Sequence, residues 1–371
     1  MLADLFDRRA IHDPKWDLWG SGADIVNYPG ANTTSGVAVT ESNATKLLAV
    51  YACVSFIADT ISAMPVDVYR GDTPVSGPPW IQRPTPDLTI TDLIGQCVTS
   101  LLLDGNFYAI PVISAAGQVV EVWPIHPGAV VVRRDAPTAP LQYFVNGTYY
   151  PYRMIHIRGA MLPGAVCGMS PITECRQTIG AGMALEDFGA RFFGQGSSPS
   201  LIIEAPGIVT DEQAIALREQ FESFHRGLRK AHGVAVLTGG ATARPMTISP
   251  DDAQFLESRN FTSAQIAAGL YRLPPDDVGA TLPGHSSLTY ANISDQWVSR
   301  FRRAFLPYVR RVEMMLTDLL PRPQVARLDE SEFLRADTKQ RYDAYAVGIQ
   351  NGFLSADYVA QAERLPIPQG Q

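Results

Sequence analysis

Residues 273–287 read LPPDDVGATLPGHSS, and neither a helix nor a strand can run through them. Three prolines and two glycines in that stretch remove backbone donors and favour tight turns. The flanks are periodic. Upstream, Pro250 to about Leu270 reads as a helix. Downstream, Leu288, Ile293, Trp297, Phe301, Phe305, Tyr308, Val312, Leu316 and Leu319 recur at helical spacing and predict the longest helix of the chain. Pro307 lies inside it and should kink it, because proline lacks the N–H and clashes with the preceding turn. Pro321 and Pro323 end it. Further upstream, Ser170-Pro171 is a cap followed by proline at the first helical position, opening a helix to about Gly194. Between these helices lies a strand–helix–strand module. Its parts are Leu201–Glu204, a helix from the capping box Thr210–Gln213 carrying Leu217, Phe221 and Phe224, and a strand Gly233–Leu237 closed by Gly239-Gly240.

The N-terminal half is of another kind. Residues 1–45 are rich in Gly, Ser, Thr, Asn and Asp, and read as weakly structured. From there Leu47, Leu48, Tyr51, Val54, Ile57, Ala58 and Ile61 form one apolar helix face, ended by Met64-Pro65. Val66–Arg70 alternates as a strand, and a Pro/Gly loop covers 71–86. Thr91-Asp92 reads as a helix start, with Leu93, Ile94, Cys97, Val98, Leu101 and Leu102 as the buried stripe. Strands are predicted at 107–113, 118–123, 129–134 and 154–158. Asn146-Gly147, between aromatic and β-branched residues, predicts a hairpin over 142–150. The expectation is two helices with one small antiparallel sheet. The last 45 residues read as two short helices around Asn351-Gly352.

With 371 residues and 46% hydrophobic content, the chain can bury a large core in two or three packing units. Charged residues make up only 18%, which suits a protein with extensive partner interfaces. The net charge of −7 argues against gripping nucleic acid over a broad basic surface. It is compatible with touching DNA without holding it. The start, MLADLFDRRAIHDP, carries no apolar core of signal-peptide length, and no apolar run has the length of a membrane span.

Chemistry-bearing patterns are absent. There is no nucleophile elbow, phosphate-binding loop, dinucleotide fingerprint or HExxH zinc motif. The histidines (His12, His126, His156, His225, His232 and His285) are scattered. Cys53, Cys97, Cys167 and Cys175 lack metal spacing and read as reduced packing residues. No cofactor or metal is indicated. Asp251-Asp252 reads as compensation of a helix dipole. Asp276-Asp277, with His285, is the one place where a cation could be held. That leaves a metal-dependent hydrolase on the 276–285 loop as an alternative to a solvated acidic loop with a mechanical role. Arg300, Arg302, Arg303, Arg310 and Arg311 form the only dense basic cluster, readable as an ion-paired helix face, a phosphate contact or a subunit interface.

Several strings, taken in order, carry a resemblance. They are VYACVSFIADTISAMP (50–65), LLDGNFYA (102–109), VEVWPIHP (120–127), IHIR (155–158) leading to GMSP (168–171), FFGQG (192–196), DAQFLESR (252–259), YANIS (290–294) before the helix with Leu306-Pro307, and NGFLS (351–355). Over about residues 45–366 the chain resembles the portal proteins of tailed bacteriophages, of the type common in phages with long non-contractile tails.

The resemblance implies an α+β subunit of a ring, typically of twelve copies, at one capsid vertex. It implies a non-enzymatic conduit for DNA packaging and ejection. Its partners would be the large terminase, the major capsid or scaffold protein, a head-completion adaptor, and double-stranded DNA passing without sequence readout. No membrane is involved. The implied parts are an N-terminal arm (1–45), a wing (46–168), a stem helix (169–197), a clip (198–246), a second stem helix (247–271), a tunnel loop (272–287), a long kinked wing helix (288–324) and a crown (325–371). Asp276, Asp277, Thr281, Leu282 and His285 would face DNA from the tunnel loop. Asp251, Asp252, Glu257 and Arg259 would line the stem. At −7 per copy, twelve copies would carry −84, which lets a polyanion slide rather than stick.

Overall fold

The computed structural model describes residues 33–136, 138–195, 201–204, 242–245, 251–280, 293–330 and 338–363. The chain forms two compact units: Met1–Met183 with Asn260–Gln371, and Ala184–Arg259.

The first unit begins earlier than the sequence suggested. Helix α1 (Glu41–Ala44) is short, but Thr40 and Asn43 cap it reciprocally, and Val39 and Ala44 are buried. The Ser, Thr and Asn residues that looked like loop chemistry are the caps. Glu41 is pushed up to about 8 by burial and by its hydrogen-bonded neighbour Asp104, so at neutral pH it is a protonated partner to that carboxylate.

Helix α2 (Leu48–Ser62) buries Val50, Cys53, Val54, Ile57, Ala58 and Ile61. Leu48 and Tyr51, expected on that face, are 63% and 60% exposed. Strands β1 (Val66–Arg70) and β2 (Thr73–Val75) pair antiparallel, β2 arising inside the expected loop. Helix α3 (Ile90–Leu103) starts at Thr89, whose side chain and that of Asp92 form a capping box. Its six predicted stripe residues are all buried.

The β-region is two sheets rather than one. Strands β3 (Asn106–Ile113), β4 (Val119–Ile125), β5 (Val130–Arg133), β6 (Gln142–Val145), β7 (Thr148–Tyr150) and β8 (Ile155–Arg158) follow in order. They form the sheets β4-β3-β8 and β5-β6-β7. Asn146 and Gly147 both have positive φ (49° and 78°), the conformation that the β6–β7 hairpin requires.

Helix α4 (Pro171–Glu174) is capped by Ser170, and Cys175 separates it from α5 (Arg176–Gln195). In the second unit, β9 (Leu201–Glu204) pairs antiparallel with β10 (Thr242–Pro245). The strand that pairs with β9 therefore follows Gly239-Gly240. The strand expected at Gly233–Leu237 and the helix from Thr210 lie outside the described residues.

Helix α6 (Asp251–Gln265) runs into a π turn, Ile266–Leu270. The predicted long helix is α7 (Ile293–Arg300), a π turn (Phe301–Phe305) and α8 (Leu306–Leu319). Pro307 falls in the first turn of α8, so the wide turn before it absorbs the missing N–H and the ring. Phe301, Phe305, Val312, Leu316 and Leu319 are buried. Trp297 is only partly buried, against Phe56 (ring centroids 6.2 Å apart) and beneath Arg300 (5.4 Å).

The sequence reading missed β11 (Gln324–Leu328), which pairs antiparallel with β1 from Val66↔Leu328 to Arg70↔Gln324. Buried Glu313 on α8 accepts from the Leu328 N–H at 3.0 Å and from Arg310 at 2.6 Å. The end of the chain continues as α9 (Thr338–Gln350) and α10 (Ala356–Ala362).

Candidate functional site

The stretch 273–287 is a loop only in part. Pro275–Val278 is a 3₁₀ turn closed by Gly279 at φ 71°, and Leu273 and Ala280 are buried at either end. Asp277 Oδ1 accepts from Arg300 Nη2 at 2.9 Å, with the two side chains 14% and 12% exposed. Among the described residues Asp277 Oδ2 and Arg300 Nε find no hydrogen-bond partner, so one tine of the guanidinium fork is engaged. Burial raises the Asp277 carboxyl above its usual value; Arg300 pulls it down and Asp276 adds to the rise. Desolvation thus outweighs attraction, and the pair places the turn more than it stabilises the fold.

Asp277, read from the sequence as part of a solvated acidic loop, is thus a paired and largely buried carboxylate, while Asp276 beside it is exposed. The hydrolase alternative finds no support here, since Asp277 is already paired with Arg300. Among the described residues no group of three or more His, Cys, Asp or Glu could hold a metal. Thr281, Leu282 and His285 lie outside the described residues. Asp251 and Asp252 open α6. Glu257 and Arg259 are exposed, and Arg259 Nη2 stands 3.6 Å from Glu186 Oε1 of α5.

The arginine cluster is mostly internal bracing. Arg300 holds Asp277, and Arg310 pairs with Glu313 and Glu330. Arg311 donates to the carbonyls of Arg158, Gly159 and Pro307.

Sequence reasoning also missed a polar knot where three of the quoted strings converge. Asn106, 6% exposed, is its centre. Its Oδ1 accepts from the Gly168 N–H (2.6 Å) and from His156 Nε2 (3.2 Å). Its Nδ2 donates to Asp104 Oδ1 (3.0 Å) and to the Gly168 carbonyl (3.1 Å). Since Oδ1 only accepts, His156 carries its proton on Nε2, leaving Nδ1 to accept from Tyr143 Oη at 3.4 Å. His156 also stacks on Tyr108, ring centroids 4.4 Å apart. Burial and then Arg158 pull its pKa down to about 4. A Cβ at Gly168 would stand 2.2 Å from the Gly105 carbonyl oxygen, and one at Gly105 would stand 2.0 Å from that of Met169. The glycines of LLDGNFYA and GMSP are there because two backbones touch.

With that geometry in hand, three comparisons bear on the chain. The family model described as phage portal protein matches residues 48–363. A probable portal protein of Streptomyces phage phiC31 is 31% identical over 393 aligned positions, spanning 97% of this chain and 84% of the relative. Two solved structures share the fold. The crystal structure of an HK97 family phage portal protein from Corynebacterium diphtheriae superposes with a TM-score of 0.57 at 15% identity, over 81% of this chain and 98% of that one. A chain from the neck of a native gene transfer agent particle, computed with C12 symmetry, superposes with a TM-score of 0.60 at 22% identity, over 88% and 95%.

Proposed function

The chain belongs to the phage portal protein family, and on that premise we propose that its copies close into a ring of twelve at one vertex of a phage capsid. Double-stranded DNA enters through the ring during packaging and leaves through it on ejection. The subunit is a structural conduit, not an enzyme, and resides in the virion. The single observation that carries this is the family match over residues 48–363, which runs from α2 to the end of α10 and takes in both compact units.

The parts are assigned on the same reading. Residues 46–168 and 288–324 are the wing, and pairing of β11 with β1 extends it to Leu328. The crown then begins after Leu328. Residues 198–246 are the clip, which docks the large terminase and later a head-completion adaptor; separation of Ala184–Arg259 as its own compact unit supports this. Helices over 169–197 and 247–271 are the stem, with Asp251, Asp252, Glu257 and Arg259 as the channel-lining candidates. The DNA-facing part of the tunnel loop on this reading is exposed Asp276 with Thr281, Leu282 and His285, whereas Asp277 is paired with Arg300. The wing meets the capsid or scaffold protein. A channel with more acidic than basic residues keeps a polyanion mobile.

Negative-stain electron microscopy of the purified protein, averaged along the symmetry axis, tests the assignment. A ring with an open centre is expected, alone or after co-expression with capsid and scaffold proteins. Monomers under both conditions would overturn it.

A further inference from the structure

Helix α2 keeps one face out of the core. Leu48, Tyr51 and Asp59 are exposed, with Ser55 half-buried between them. Their spacing of three, four and four residues puts all four on one side of the helix. Leu48 and Tyr51 are large and apolar, yet well over half exposed. Lys46, just before the helix, is exposed as well. At the other end Asp59 stands at a pocket of about 470 Å³, whose described lining includes the carboxylates of Glu41, Asp92 and Asp104 and no Lys or Arg. Along the chain this face therefore reads cation, apolar pair, anion.

A second face lies on α8 and the π turn before it. Arg303, Arg310, Met314 and Asp318 are exposed there, Met314 at 68%. Arg310 is held by Glu313 and Glu330, whereas no ion pair or hydrogen bond to another described residue engages Arg303. This face also reads cation, apolar residue, anion: Arg303, Met314, Asp318. Both helices bury their other sides in one core, so within a single chain the two faces point away from it.

The faces match when laid antiparallel. Leu48 and Asp59 are 11 positions apart, as are Arg303 and Met314, which is a helical rise of about 16 Å in each case. Met314 then meets Leu48 and Tyr51, Arg303 meets Asp59 at the acidic pocket, and Asp318 meets Lys46. A parallel placement would set Asp318 on Asp59 and Arg303 on Lys46, and like charges face to face oppose docking. Met is an adaptable filler between Leu and Tyr.

We propose that the exposed face of α2 docks the exposed face of α8 from a second copy of the chain, antiparallel and in this register. Two different faces make the contact head-to-tail, the kind that closes a ring. The proposal rests on the portal reading for the ring and adds to it the surfaces that join one copy to the next.

The test uses the full chain in a Cys167→Ser/Cys175→Ser background, since Cys53 and Cys97 are buried. Leu48→Cys, Met314→Cys and the two together are assembled and mildly oxidised, then run on a non-reducing denaturing gel. The paired variant is expected to give a ladder of covalent multimers, at least tenfold stronger than either single variant, because a head-to-tail contact joins each copy to two others. Asp59→Arg and Arg303→Asp are each expected to lower the ring fraction in electron micrographs, and the two together to restore it. Far-UV circular dichroism checks folding; if the cysteine pair does not fold, the charge pair decides. Rings that give no ladder and no rescue overturn the proposal and leave the portal reading standing. Cross-links to a capsid or motor protein instead would give the face to that partner and overturn it too. Failure of the unmodified chain to form rings, alone or with capsid and scaffold proteins, overturns both.

Discussion

Asn106→Ala is the sharpest test of the polar knot. The substitution removes the acceptor of the Gly168 N–H and of His156 Nε2, and the donor to the Gly168 carbonyl and Asp104. A buried donor left without a partner costs about 1–3 kcal/mol. Two such donors are stranded, at Gly168 and His156. A water entering the vacated space replaces part of the loss, so the expected destabilisation is about 3 kcal/mol. It would be read from urea unfolding of the purified subunit by far-UV circular dichroism. Asn106→Asp is the companion. It sets a carboxylate where Oδ1 stands 3.2 Å from His156 Nε2, and an adjacent opposite charge favours the imidazolium. The His156 pKa should climb from about 4 past its ordinary value, as followed by NMR of the ring protons. A cost below about 1 kcal/mol for the alanine variant, or a His156 in the aspartate variant still titrating near 4, would refute the claim that Asn106 organises the knot.

Three further outcomes follow from the same geometry. His156 has a folded pKa below its unfolded one, so it contributes stability that is present above about pH 6.5 and lost as pH falls toward 4; His156→Gln should flatten that acid-side slope of up to about 3 kcal/mol. Gly180→Ala should displace Thr33 and free the chain before α1, seen as faster proteolysis within residues 33–40; an unchanged cleavage rate would count against the docking of Thr33. Deleting 281–287 should leave rings intact while impairing DNA packaging or retention, whereas normal packaging would remove that stretch from the channel.

The sequence was readable where a local pattern decided the outcome. The stripe of α3 and the Asn146-Gly147 hairpin each follow from neighbours a few positions away. It was unreadable where distant residues decided. Asp277 looked like a solvated acid because its neighbours are Pro, Asp and Gly, yet Arg300 and a buried turn set its surroundings. β11 follows directly on Pro321 and Pro323, which read as the end of a helix, and it is a strand because β1 offers an edge more than 250 residues away. The quoted strings marked the knot without revealing it. Their glycines and Asn106 are chemically unremarkable until LLDGNFYA, IHIR and GMSP meet.

The pairing of β1 with β11 carries a consequence for how the subunit is made. More than 250 residues separate the two strands. At about 5–20 residues per second, a ribosome needs roughly 13–50 s to deliver the second after the first. Throughout that interval β1 has only β2 beside it, and the Leu328 N–H that Glu313 awaits has not been synthesised. The first unit cannot close until β11 has been made. A product lacking β11 would expose an open strand edge at β1 and leave the Glu313 carboxylate without the Leu328 N–H.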